Sequence, residues 1–198
     1  MTISERDWKE KGPILVERLL DARQCAEIVS TFERGTPRKR TYQGLIDLEQ
    51  RDCQFVELPP SFEVFLCDRL VPVMTDFFGV AIENRFTHAP LLFRYLRGAG
   101  FIPHHDMVTP IEEERGRING QPVIRGDFSV LLFPSDPQEY VGGELYFPNH
   151  GCIFKPEVGS VVAFPASEKF IHGVKPIRDG IRYSVLCRMD AAPSPPKA

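Results

Sequence analysis

Past residue 88 the chain breaks into short apolar or alternating runs separated by turn-forming residues, and that rhythm leaves few folds open to it. The runs are Leu91–Leu96, Phe101–Val108, Phe128–Phe133, Glu144–Phe147, Cys152–Phe154, Ser160–Phe164, Phe170–Lys175 and Arg182–Arg188. Between them lie Gly98 and Gly100, Pro134-Ser-Asp-Pro137, Gly142-Gly143, Pro148-Asn-His-Gly151, Pro156–Gly159 and Arg178-Asp-Gly180. Eight strands of this length with turns every several residues predict an antiparallel sandwich or jelly roll. Fifteen phenylalanines and eighteen prolines fit a layered β core with punctuated loops.

The first 88 residues read differently. Ile14–Val16 predicts a short strand. Asp21 then stands as an N-cap with Gln24 three residues on, and Cys25, Ile28, Val29 and Phe32 follow at helical spacing up to Gly35. A second helical stripe runs through Phe62, Phe65, Leu66, Leu70, Val73, Met74 and Phe77 to Gly79, with Pro72 expected to kink or split it. Arg38–Gln54 reads as polar and irregular. The expected organisation is one domain over residues 1–190: a helical annex (1–88), a jelly-roll core (89–190) and a flexible tail (191–198).

Charge and cysteine usage narrow the setting. A net charge of −3 from 24 basic and 27 acidic side chains, well mixed along the sequence, offers no basic field for a nucleic-acid backbone. Five cysteines, with no two at CxxC spacing, argue against a disulfide framework or a zinc knuckle and for a reducing cytoplasm. Met1–Glu10 has no signal-peptide core, and no apolar run approaches ~18 residues, so a soluble cytoplasmic protein with no membrane partner is expected.

Three segments carry candidate chemistry. In Pro103-His-His-Asp106, side chains alternate on a strand, so His104 and Asp106 face one way and His105 the other. His172, in Phe170-Ile-His-Gly-Val-Lys-Pro176, lies on a late strand, and in a jelly roll an early and a late strand can converge on one end of the cavity. Two imidazoles and one carboxylate on one side of a metal leave its other side open, the facial arrangement of non-haem iron sites. Arg182 and Ser184 share a strand face in Gly180-Ile-Arg-Tyr-Ser184. A guanidinium inside a β cavity needs an anion, and its fork fits a carboxylate. Tyr95 adds a hydroxyl from the strand leading to His104. Each feature alone has a plainer reading: a chance triplet, a core histidine, an exposed sheet arginine.

Taken in order, these pieces resemble the prolyl 4-hydroxylase-like group of 2-oxoglutarate/Fe(II) dioxygenases from about Leu91 to Asp190. The matching segments are Arg94-Tyr95, Gly98, His104-His-Asp106, Asp127–Phe133, Tyr140-Val-Gly-Gly-Glu-Leu145, Pro156–Gly159, Ala163-Phe-Pro165, His172–Pro176 and Gly180–Ser184. The N-terminal helix is similar to the annex outside that family's double-stranded β-helix. The resemblance implies that His104, Asp106 and His172 bind Fe(II), and that Arg182, with Tyr95 and Ser184, holds 2-oxoglutarate as cosubstrate. With O2, the cosubstrate would be converted to succinate and CO2 as a substrate C–H is hydroxylated. Asp106 argues against the family's halide-binding variant, in which a small residue stands there.

The substrate is expected to be a small molecule (an amino acid or natural product), with a protein prolyl or other side chain as the alternative. Arg97, Arg117 and Arg125 are candidates to meet a substrate carboxylate. Arg188, six past Arg182, is similar to the Arg-x5-Arg pattern of AlkB-like nucleic-acid demethylases, but Gly142-Gly-Glu-Leu145 and the absent basic patch favour the prolyl-hydroxylase side. A non-catalytic cupin-like binding protein would use the same barrel without needing Arg182. Thr109–Arg125, charged and aperiodic, is expected to form a lid. Oligomeric state has no signature in this sequence.

Overall fold

A computed structural model describes residues 14–39, 53–108, 110, 113–114 and 124–193. The strands are β1 (Leu15–Arg18), β2 (Arg38–Lys39), β3 (Cys53–Glu57), β4 (Leu91–Tyr95), β5 (Phe101–His104), β6 (Phe128–Phe133), β7 (Tyr140–Gly142), β8 (Leu145–Phe147), β9 (Cys152–Phe154), β10 (Ser160–Pro165), β11 (His172–Val174), β12 (Ile177–Gly180) and β13 (Arg182–Met189). Two helices, α1 (Ala22–Arg34) and α2 (Pro60–Phe78), precede β4. A seven-stranded sheet of order β1-β10-β6-β13-β4-β3-β2 faces a four-stranded sheet of order β5-β11-β8-β9, and β12 pairs with β7. Every pairing is antiparallel. All eight expected strands are present, with ends shifted by no more than a few residues.

The alternation that signals a strand also divides the core. From β13, Val185, Cys187 and Met189 face outward and pack under the helices with Val130 and Leu132 of β6, Val161 and Ala163 of β10, and Cys25, Ile28, Phe32, Leu66, Leu70, Met74 and Phe78 of the helices. Arg182, Ser184, Leu186 and Arg188 are the alternate residues, facing inward. Phe133, Phe147, Phe164 and Phe170 fill the space between the sheets.

Helix α1 begins at the expected capping box: Asp21 accepts from the Gln24 amide (2.8 Å), and Gln24 accepts from the Asp21 amide (3.0 Å). Helix α2, expected to kink or split at Pro72, continues through it. Proline removes the bond to the carbonyl four residues back, here Asp68. Both residues are exposed, so water can satisfy that carbonyl. Strand β3 falls at the end of the stretch expected to be irregular. Its Cys-Gln-Phe-Val-Glu pattern is too short to announce itself, and pairing with β4 decides it. Residues 40–52 lie outside the described residues.

One turn is tightly constrained. Gly159, between β9 and β10, has φ +82°, its carbonyl accepts from Leu19 and Leu20, and a Cβ there would sit 2.0 Å from the Leu20 carbonyl oxygen. Gly159→Ala is expected to cost at least ~1–3 kcal/mol, because left-handed strain adds to a backbone clash. The urea midpoint should fall accordingly; an unchanged midpoint would show that β1 yields freely.

Candidate metal centre

The ends of β5 and β11 bring His104 opposite His172 as a register pair of the smaller sheet. Asp106 follows two residues beyond His104, past the last hydrogen-bonded residue of β5, and still lies on the same side. Ligand atoms of His104, Asp106 and His172 lie within 4.8 Å of one another. His104 Nε2 is 3.5 Å from Asp106 Oδ1, and His172 Nε2 is 3.5 Å from Asp106 Oδ2.

The second ring nitrogens define the tautomers. His104 Nδ1 lies 3.0 Å from the Ile102 carbonyl, and His172 Nδ1 lies 3.0 Å from the Phe170 carbonyl. A carbonyl oxygen only accepts, so both Nδ1 atoms carry hydrogen, and in the neutral rings both Nε2 lone pairs are turned toward Asp106. That is the state a metal-ligating histidine requires. Aromatic rings fix the imidazoles from behind: Phe101 at 3.7 Å from His104, and Phe164 and Phe147 at 4.7 and 5.6 Å from His172.

Burial holds His172 down to about 4 from its ordinary 6.5; Asp106 pulls it partly back, while His104 and Arg188 press it lower. Burial would raise Asp106, but Arg188 foremost, with His172 and His104, outweighs burial and keeps its carboxyl well below the usual range. At neutral pH His172 is thus a neutral imidazole beside an ionised Asp106 carboxylate. A stability consequence follows. The unfolded chain protonates this histidine below ~6.5, and the folded one only near 4. Folding stability of the metal-free protein should therefore fall as pH drops from 6.5 to 4, by up to about 3 kcal/mol from this group. Asp106 adds its own loss only at lower pH, below its unfolded value near 4. Urea midpoints at pH 7, 5.5 and 4.5 should show the fall, and His172→Gln should flatten it; equal slopes in both proteins would refute the assignment.

Arg182 lines the same pocket from β13, with Tyr95, Ser184 and the apolar side chains of Phe93, Leu131, Leu145 and Leu186. It is 1% exposed. Its Nη1 donates to Ser184 Oγ at 3.3 Å, its carbon centre lies 5.0 Å from the Tyr95 ring and 5.2 Å from that of Phe133, and its Nε has no hydrogen-bond partner. Among the described residues no carboxylate pairs with it. A buried guanidinium so placed is short of an anion. Gly143 makes room for it: at φ +69°, a Cβ there would lie 2.8 Å from Arg182 Cδ.

Three contributors complete the site, and of these the sequence had marked only Arg188, for its spacing from Arg182. The Tyr140 phenol touches the Arg182 guanidinium; burial pushes that phenol up and Arg182 pulls it partly back. Arg188 Nη2 donates to Asp106 Oδ1 at 2.6 Å, and Ser129 Oγ donates to Asp106 Oδ2 at 2.8 Å. Parity along β13 could have placed Arg188 on the inner face with Arg182; the position of Ser129 had no such signal. Of the other expected residues, His105 is half-buried and outside the cluster. Arg97 sits on the exposed turn before β5, at the opposite end of that strand from His104, where Gly98 is bonded to Ile177. Arg125 is exposed and paired with Glu113. Arg117 and most of the Thr109–Arg125 segment lie outside the described residues, as do residues 194–198 of the tail.

A jelly roll with a His/carboxylate/His cluster and a buried, anion-seeking arginine in one pocket defines the class of 2-oxoglutarate/Fe(II) oxygenases. The profile of the 2OG-Fe(II) oxygenase superfamily matches residues 90–187, from the start of β4 into β13. Over that segment the chain belongs to the superfamily. It is 33% identical over 109 residues to a PKHD-type hydroxylase of Rippkaea orientalis and 35% identical over 110 residues to one of Xanthomonas campestris pv. campestris. Each alignment covers 54% of this chain and 45% or 46% of the relative, so the chain spans about half the length of these relatives. A Pseudomonas putida prolyl-4-hydroxylase structure matches with TM-score 0.68 at 19% identity, over 92% of this chain and 94% of that one. A Trichoplax adhaerens prolyl hydroxylase, in complex with a hypoxia inducible factor peptide fragment, matches with TM-score 0.68 at 14% identity, over 93% and 86%. At these identities the likeness is one of fold. Among the described residues no helix is long and apolar enough to cross a membrane.

Proposed function

We propose that the protein is a 2-oxoglutarate-dependent hydroxylase in which His104, Asp106 and His172 hold Fe(II) and Arg182 holds the distal carboxylate of 2-oxoglutarate. The observation that carries this reading is the buried Arg182 guanidinium, with no carboxylate partner among the described residues, in the same pocket as three convergent ligands. Fe(II) with 2-oxoglutarate and O2 supplies oxidative decarboxylation to succinate and CO2, coupled to hydroxylation of a substrate C–H. The protein's part is positional. Nδ1 bonds turn both imidazoles to the metal, Arg182 and Ser184 with the Tyr95 and Tyr140 rings fix one end of the cosubstrate, and Phe93, Leu131, Leu145 and Leu186 keep the passage between them dry.

For the substrate, a small molecule such as an amino acid or natural product remains the reading from sequence. A prolyl residue of a protein is the second reading, supported by two structural neighbours that are prolyl hydroxylases, one of them bound to a peptide. Both are tested by succinate release above the uncoupled background, with Fe(II) and ascorbate, against free amino acids and proline-containing peptides. A peptide-only response rejects the small-molecule reading. No succinate from 2-oxoglutarate under any condition, with iron bound, rejects the hydroxylase in favour of a binding protein.

A further inference from the structure

Arg188 is 4% exposed and lies six residues beyond Arg182 on the same face of β13. At a strand rise of ~3.3 Å per residue, their Cα atoms stand about 20 Å apart, so the two cations serve opposite ends of the pocket. Arg188 is already engaged there. Its Nη2 donates to Asp106 Oδ1 at 2.6 Å, and its Nη1 donates to Ser129 Oγ, which in turn donates to Asp106 Oδ2 at 2.8 Å. Ser129 is the register partner of Arg188 across β6 and β13 and is fully buried, so the frame is set by the sheet. One guanidinium thereby grips both oxygens of the carboxylate, directly and through a hydroxyl. A lysine in its place offers a point charge but not the fork.

A carboxylate can ligate through one oxygen or through both. The difference matters here. Three protein atoms on one side would leave three positions on a six-coordinate metal, all of them needed by the cosubstrate and O2. A second oxygen from Asp106 would take the last. We propose that Arg188 is a positioning residue that, with Ser129, holds Asp106 to single-oxygen ligation and keeps the third position open. Each carboxylate oxygen accepts one of these bonds, and turning the carboxylate plane to chelate would strain the Arg188 bond or the Ser129 bond. This inference rests on the hydroxylase reading of the site, yet it concerns only how the metal is held.

The test counts exchangeable waters on Mn(II) bound to the otherwise metal-free protein, by water-proton relaxation, with no turnover required. The wild-type protein should show three. Arg188→Met, nearly the same in length and without donors, should show two, and Arg188→Lys, which keeps one donor to Oδ1, should hold three. Ser129→Ala leaves the Arg188–Asp106 ion pair intact, and it serves if Arg188→Met does not fold; a count between two and three is expected as Oδ2 is freed. Three waters in a folded Arg188→Met or in Ser129→Ala would overturn the proposal, as would an Arg188→Met that lowers only 2-oxoglutarate affinity. A wild-type protein whose Mn(II) binding ignores His172→Ala would instead overturn the metal-site reading itself, and this proposal with it.

Discussion

Replacing His172 by alanine is expected to lower Fe(II) affinity by two orders of magnitude or more and to abolish succinate formation. Losing only an outer hydrogen-bond partner of a metal ligand typically costs ~10–100-fold in affinity, and removing the ligand itself must cost more. His172 is one of two imidazoles in the cluster, its Nε2 is already turned inward by the Phe170 carbonyl, and it is 4% exposed, so no neighbouring side chain can replace it from solvent. His104→Ala and Asp106→Ala should behave alike for metal binding. His105→Ala should not, since His105 lies outside the cluster. Isothermal titration with Mn(II) or anaerobic Fe(II) separates these variants. Loss of binding in His105→Ala with retention in His104→Ala would invert the assignment of the two histidines.

The second large effect belongs to Arg182. Arg182→Met should weaken 2-oxoglutarate binding to the metal-loaded protein by at least two orders of magnitude, because a desolvated carboxylate that loses its only cation typically costs ~3–5 kcal/mol. Metal affinity without 2-oxoglutarate should be unchanged. So should the melting temperature of the metal-free protein, or it should rise. In the absence of an anion, Arg182 is a buried charge with an unpartnered Nε, and an apolar side chain of similar length relieves it. The combination separates a binding role from a structural one, since a structural arginine would lose stability and leave the cosubstrate affinity intact. Unchanged 2-oxoglutarate affinity would refute the anchor; Arg188 is committed to Asp106, and Lys175 lies on the outer face, 4.5 Å above the Tyr146 ring.

Much of this site was legible in the sequence because it is written in period two. Alternation put His104 and Asp106 on one face, Arg182 with Ser184 on another, and set His105 apart. Those placements hold even where β5 ends before Asp106, since the extended backbone continues past its last hydrogen bond. The same rule could have put Arg188 inside, without saying what it would meet. Its partner lies far back in the sequence, and Ser129 is chosen by the register of β6 against β13, a property of the paired backbones and of no local segment. Arg97 shows the converse: proximity in sequence to Tyr95 and His104 suggested the cavity mouth, yet the turn before β5 carries it to the other end of that strand.

The eight core strands, the Asp21 capping box and the inward set of the metal cluster follow from residue periods and caps, which act over a few bonds and survive in any fold that keeps the pattern. Short strands such as β3, β7 and β12, the Tyr140 contact with Arg182 and the Arg188–Ser129 grip on Asp106 depend on partners brought together by the sheets. Their energies are hydrogen bonds and charge pairs across the barrel, and such bonds are strong only where tertiary packing has already excluded water.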